Sequence, residues 1–141
     1  DRIDVNYIDP TNNRSNLLDA IDCNSTKMVR FLLDIPTIDI NLRANTGSCN
    51  THDYLNSHNI TPFCYAVECN VDEIINLFFK RKNEIDINAT YSKNILLFFF
   101  FYHITCLPCA AKHGTVMLVK KILEFPNIDK FKLDKIFSTF F

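Results

Sequence analysis

Six cysteines and four histidines are the residues of this 141-residue chain best equipped for chemistry. Cys106-Leu107-Pro108-Cys109 has CxxC spacing, and a thiol near a helix N-terminus can ionise and act as a redox nucleophile. The same two cysteines with His113, and His103 or Cys64 as a fourth ligand, give the ligand count of a zinc site. Both readings lack support nearby. The redox motif belongs after a strand in a βαβ unit, and none is visible; zinc modules carry a second CxxC, and helical spacing places Cys109 and His113 along one face with Cys106 elsewhere. Ser25, His52, Asp53 and His58 are polar loop or cap residues that nothing links to a pocket. No nucleophile, base and orienting group can be assembled, which predicts a non-enzymatic chain with no cofactor, metal or small-molecule substrate.

Composition excludes other classes. Fifteen Lys and Arg against 16 Asp and Glu leave a net charge of -1, without the cationic excess that nucleic acid or an anionic membrane requires. Two glycines in the whole chain leave no glycine-rich phosphate loop. An apolar content of 48% is enough to build one core in a chain of one-domain length. The opening Asp1, without a signal pattern, reads as an excerpt or a processed form.

The elements that must position these residues emerge as a repeat. Aligning Ala20, Ala66 and Ala110 brings SNLLDAIDCNSTKMVRFLL, TPFCYAVECNVDEIINLFF and TCLPCAAKHGTVMLVKKIL into one gap-free register. Each block opens with an apolar trio at i, i+3, i+4 (Leu17, Ala20, Ile21; Phe63, Ala66, Val67; Leu107, Ala110, Ala111), the spacing of one helical face. Asn24, Asn70 or Gly114 follows four residues after the alanine, and these residue types best tolerate a left-handed turn. A second apolar set then marks a second, antiparallel helix. Ser15, Thr61 and Thr105 stand where N-caps belong, Pro62 fits the first helical position, and Pro108 still lies within the first turn. Each unit ends in an extended tail, Ile38-Asp39-Ile40-Asn41, Ile85-Asp86-Ile87-Asn88 and a degraded Ile128-Asp129-Lys130-Phe131, and the chain opens on the same signature, Ile3-Asp4-Val5-Asn6.

Thr61-Pro62-Phe63-Cys64-Tyr65-Ala66, Ala110-Ala111-Lys112-His113-Gly114 and the Ile-Asp-Ile-Asn tails resemble the ankyrin repeat, whose pattern is T-P-L-H-x-A-A, a glycine turn, a V/I-V-x-L-L-L helix and an A-D-V-N hairpin. The resemblance covers roughly two thirds of the chain. It implies an all-α fold, an α-solenoid of about three helix-turn-helix repeats with enlarged hairpin or loop fingers. Repeat 1 spans about 7–41, repeat 2 about 42–88, repeat 3 about 89–131, and an amphipathic helix at about 132–141 carries Leu133, Ile136, Phe137, Phe140 and Phe141. The tail at Ile3 implies a further repeat upstream. The implied function is a protein-binding scaffold whose concave face and finger tips contact another protein. Departures are visible: the spacing exceeds the family period of about 33 residues, and the family histidine is replaced by Leu18, Cys64 and Pro108, which predicts looser repeats.

The excess length falls in the fingers, residues 7–14, 42–60 and 89–104. Stacking leaves these segments free for recognition, so Arg43, His52, Asp53, Tyr54, His58 and Tyr91 are the candidate partner contacts. The cysteines mostly occupy repeat positions suited to small packing residues, and unpaired thiols without a signal peptide predict an intracellular, cytoplasmic location. Four Asn-x-Ser/Thr sequons occur, at Asn13, Asn24, Asn59 and Asn88. The run Ile95-Leu96-Leu97-Phe98-Phe99-Phe100-Phe101-Tyr102-His103-Ile104 is too short to span a bilayer as a helix. Its expected fate is packing as an extra helix or strand on the stack, with membrane association or an exposed sticky surface as the alternatives.

Overall fold

A computed structural model of the chain describes residues 3–46, 57–95 and 100–129. His52, Asp53, Tyr54, Cys49, the second half of the last tail and the helix expected at 132–141 lie outside the described residues. Three helix pairs follow one another: α1 (Asn16–Asp22) with α2 (Thr26–Leu33), α3 (Pro62–Glu68) with α4 (Asp72–Phe79), and α5 (Cys106–His113) with α6 (Val116–Leu123). The inner helices pack in sequence, α1 on α3 and α3 on α5, and α2 packs on α4.

The expectation of an all-α solenoid is overturned. Among the described residues two small antiparallel sheets accompany the helices, β1 (Ile8–Asp9) with β2 (Arg14–Ser15), and β3 (Ser57–His58), β4 (Tyr91–Ile95) and β5 (Phe100–Ile104) in the order β3-β4-β5. The fold is mixed α and β. The long insertions satisfy their backbone groups by pairing with one another, as buried backbone must. Ser57 pairs with Lys93, and Tyr91 with Ile104. The apolar run supplies β5 and the end of β4.

The caps follow the register, with one instructive failure. Ser15 accepts a hydrogen bond from the Leu18 N–H (3.3 Å) and Thr61 from the Cys64 N–H (3.4 Å). Thr105 holds the same cap position but makes no such bond. Three residues on stands Pro108, which has no N–H to give. The turn positions divide as well. Asn24 and Asn70 are left-handed, at φ 50° and 53°. Gly114 is not, at φ −87°, which corrects its assignment as a left-handed turn. It is glycine for space: a Cβ there would lie 2.6 Å from the Ala110 carbonyl oxygen and 2.9 Å from Leu118 Cδ2.

The tails form a hydrogen-bonded ladder between successive units. Asn6 donates through Nδ2 to the Thr37 carbonyl (2.8 Å) and accepts through Oδ1 from the Asp39 N–H (2.8 Å). Asn41 clamps the Glu84 carbonyl (2.7 Å) and the Asp86 N–H (2.8 Å) in the same way. Asn88 clamps the Asn127 carbonyl (2.6 Å) and the Asp129 N–H (2.8 Å). Within three of the tails the Asp side chain accepts from the N–H of that Asn, at 2.9, 2.9 and 3.2 Å. The recurring signature is therefore a bonding device that joins one unit to the next.

The core is continuous through all three pairs. Phe63 of α3 sits at its centre, with edge-on contacts to Phe78 and Phe79 at 5.8 Å and a tilted contact to Phe125 at 6.0 Å. Such geometries suit the ring quadrupole.

Candidate partner-binding surface

The three fingers stand side by side as one wall. Finger 1 turns through left-handed Asn13 (φ 55°), with the Asp9 carboxylate accepting from the Thr11 N–H and hydroxyl at 2.9 and 2.7 Å. Those bonds favour the ionised form and hold the Asp9 pKa below its ordinary value. The Asn45 N–H of finger 2 donates to the Asn13 carbonyl at 2.8 Å. Within finger 2 the Ala44 and Ile60 backbones bridge, and Thr46 and Ser57 exchange backbone and hydroxyl bonds of 2.8 to 3.3 Å. Finger 2 then joins finger 3 through β3 and β4.

Two ion-pair systems tie this wall to the inner helices. Asp22, near the end of α1, accepts from Arg14 of finger 1 at 2.8 Å and also from the Tyr65 hydroxyl of α3. Its repeat equivalent is Glu68, the last residue of α3. Glu68 receives Lys93 of β4 at 2.8 Å and the Ser57 hydroxyl at 3.2 Å. Lys93 and Glu68 side chains are only 9% and 15% exposed, so the pair is largely desolvated. A carboxylate at a helix C-terminus opposes the helix dipole, and Lys93 offsets that cost. Burial and Asp22 push the Tyr65 hydroxyl pKa upward, and burial does the same to Tyr91. Both phenols stay protonated.

Strand alternation then fixes what the wall presents. Ser57, Tyr91, Lys93 and Ile104 are buried, facing the helices. His58, Ser92 and His103 are in direct register across the three strands and carry the opposite, solvent-facing side. Ser92 Oγ lies 3.3 Å from His103 Nδ1, a contact whose donor depends on the imidazole tautomer.

The expected contact residues separate on this frame. His58 is on the outer row. Tyr91 is 1% exposed and belongs to the core, because it falls on the inward phase of β4; it leaves the set of surface contacts. Arg43 is half-buried and bound, donating to the Thr90 carbonyl at 2.7 Å, with Asp86 at 3.8 Å. It braces the finger against the tail. Ser92 and His103 were not singled out as contacts from sequence; strand register was the missing signal. All four sequon asparagines have structural work: Asn13, Asn24 and Asn59 are left-handed, and Asn88 is a ladder rung.

Burial favours the protonated form of both thiols of the CxxC pair. Cys106 is wholly buried, and burial together with the neighbouring Cys64 thiol pushes its pKa well up. Burial pushes Cys109 up to about 11. Protonated thiols are poor nucleophiles and poor metal ligands. His113 is exposed at the far end of α5, and among the described residues no three His, Cys, Asp or Glu side chains group as a metal site. Ser92 and His103 form no triad either, with no carboxylate found on the imidazole among the described residues. No helix among the described residues is long and apolar enough to cross a membrane. No protein family, curated protein or solved structure matches the chain.

Proposed function

We propose that the chain is a divergent ankyrin-like, non-enzymatic module that binds another protein through its finger wall, working inside the cell. The observation that supports this reading is the outer row His58, Ser92 and His103. Its strands are fixed from behind by the Lys93 and Glu68 pair, so polar groups are displayed on a rigid, helix-backed sheet. Rigid display lowers the ordering cost of association, and uncharged polar and imidazole groups suit the hydrogen-bonded parts of a protein interface. The five described cysteines are free thiols, which fits a reducing compartment. The inner helices α1, α3 and α5, which pack in sequence, are proposed to contribute to the same contact.

The test is the triple substitution H58A/S92A/H103A. These side chains point away from the core, so the melting temperature should stay within a few degrees while co-purification of the partner from cells falls at least tenfold. Undiminished co-purification by a folded triple variant refutes the finger wall as the binding surface.

A further inference from the structure

The finger wall is bonded from one finger to the next up to a single strand. The Asn45 N–H meets the Asn13 carbonyl, Ala44 and Thr46 meet Ile60 and Ser57, and β3 meets β4. At the finger 1 end β1 is two residues long and contains Asp9, and brevity and charge both blunt a sheet edge. The other end is β5, which closes the order β3-β4-β5 and, among the described residues, bonds its backbone to β4 alone. Charge, proline and bulges also blunt edges, and β5 has none of them. It reads Phe-Phe-Tyr-His-Ile, and its pairing with β4 runs unbroken from Ile95 and Phe100 to Tyr91 and Ile104.

The phase of the ladder fixes which groups stand open. The Ser57 N–H donates to the Thr46 hydroxyl (2.8 Å) and its carbonyl accepts from the Thr46 N–H (2.9 Å), so both point away from β4. Antiparallel pairs alternate between bonded and non-bonded, which makes Ser57 with Lys93 a non-bonded pair and His58 with Ser92 a bonded one. Ser92 therefore turns its backbone groups to β3, while Tyr91, Lys93 and Ile95 turn theirs to Ile104, Tyr102 and Phe100 of β5. The N–H and carbonyl groups of Phe101 and His103 are left pointing outward from the edge of the sheet.

We propose that β5 pairs antiparallel with β5 of a second copy of this chain, about a two-fold axis at Tyr102, joining two finger walls into one sheet. The open residues flank Tyr102, so one register lets Phe101 of each copy exchange hydrogen bonds with His103 of the other, as a self-complementary two-fold interface requires. In that register Tyr102 stands opposite Tyr102 and Phe100 opposite Ile104. Every cross-strand pair is then aromatic with aromatic or aromatic with β-branched, the classes that stabilise antiparallel strands, and no like charges meet. A net charge of -1 sets little repulsion between copies. A strand from a different protein would pass the open edge on to itself, whereas a second copy closes both edges at once. The pairing uses edge backbone and is independent of what the outer row His58, Ser92 and His103 binds.

Sedimentation equilibrium of the chain alone, from micromolar to millimolar concentration, tests this. It should show a reversible monomer–dimer equilibrium, weak because one strand edge is small beside a standard stable interface. His103→Pro deletes an outward N–H, a place where an edge strand accepts proline. That variant should melt within a few degrees of the parent while its dimer dissociation constant rises at least tenfold. His103→Ala keeps the N–H and should weaken the dimer less. Tyr102→Pro removes an N–H that bonds to β4 and should lower the melting temperature well below that of His103→Pro. A chain that stays monomeric throughout, an open-ended series of larger assemblies, or a dimer that folded His103→Pro leaves intact overturns the proposal. A lower melting temperature for His103→Pro than for Tyr102→Pro also overturns it, by reversing the phase of the open groups. Partner co-purification by the triple finger variant is read separately.

Discussion

At the scale of single residues, the turns show two different reasons for a special residue type. Asn24 occupies a left-handed conformation that costs most L-residues on the order of 1 kcal/mol or more. Asn24→Gly should be neutral in urea unfolding and Asn24→Val should cost about that amount. Gly114 has an ordinary φ, so a conformational argument predicts that alanine is harmless there. The space argument predicts the reverse: Gly114→Ala should cost about 1–3 kcal/mol, as overpacking does. Residue type alone revealed that both positions were turns but not which constraint held each. The thiols give a pH prediction. Burial raises Cys109 from 9.0 to about 11, so the fold favours its protonated form. That contribution is complete below pH 9 and fades as pH rises from 9 through about 11. Urea titrations over this range should show stability falling, with a shallower fall in Cys109→Ala.

Among the elements, the helices were legible and the strands were not. A 3.6-residue apolar period repeated in gap-free register marks the six α-helices of the described residues, and Ser15 and Thr61 cap two of them, α1 and α3, as their chemistry predicts. Strand β4 hides its period, because the inward sequence Tyr91, Lys93 places a lysine where the pattern demands an apolar residue. Only Glu68, 25 residues upstream in sequence, makes that lysine acceptable. The neighbouring apolar run reads equally as buried helix or strand. Removing one member of a desolvated ion pair strands the other, at a cost of about 3–5 kcal/mol. Lys93→Met should therefore lower stability by that order, and the double variant K93M/E68L should recover most of it. A similar loss in the double variant would place the damage in packing. The tails offer an independent check: Asn41→Ala removes both rungs between the first and second units and should cost about 1–3 kcal/mol by urea unfolding.

For the whole molecule, the three units in register were legible in the sequence, as was the place where they are interrupted. What the insertions do was not, because pairing such as that of Ser57 with Lys93, 36 residues apart, depends on the helices first setting those fingers side by side. That tertiary pairing turns an expected all-α array into a mixed α and β molecule that carries His58, Ser92 and His103 in one row across three strands. The central claim is that this wall meets the partner. Site-specific photo-crosslinking in cells tests it most directly, with a crosslinking residue placed at position 103 or 58 on the outer strand row, or at 30 or 120 on the exposed faces of α2 and α6. The account predicts a discrete protein adduct from positions 103 and 58 and none from 30 and 120. Adducts from 30 or 120 with none from the strand row would contradict it.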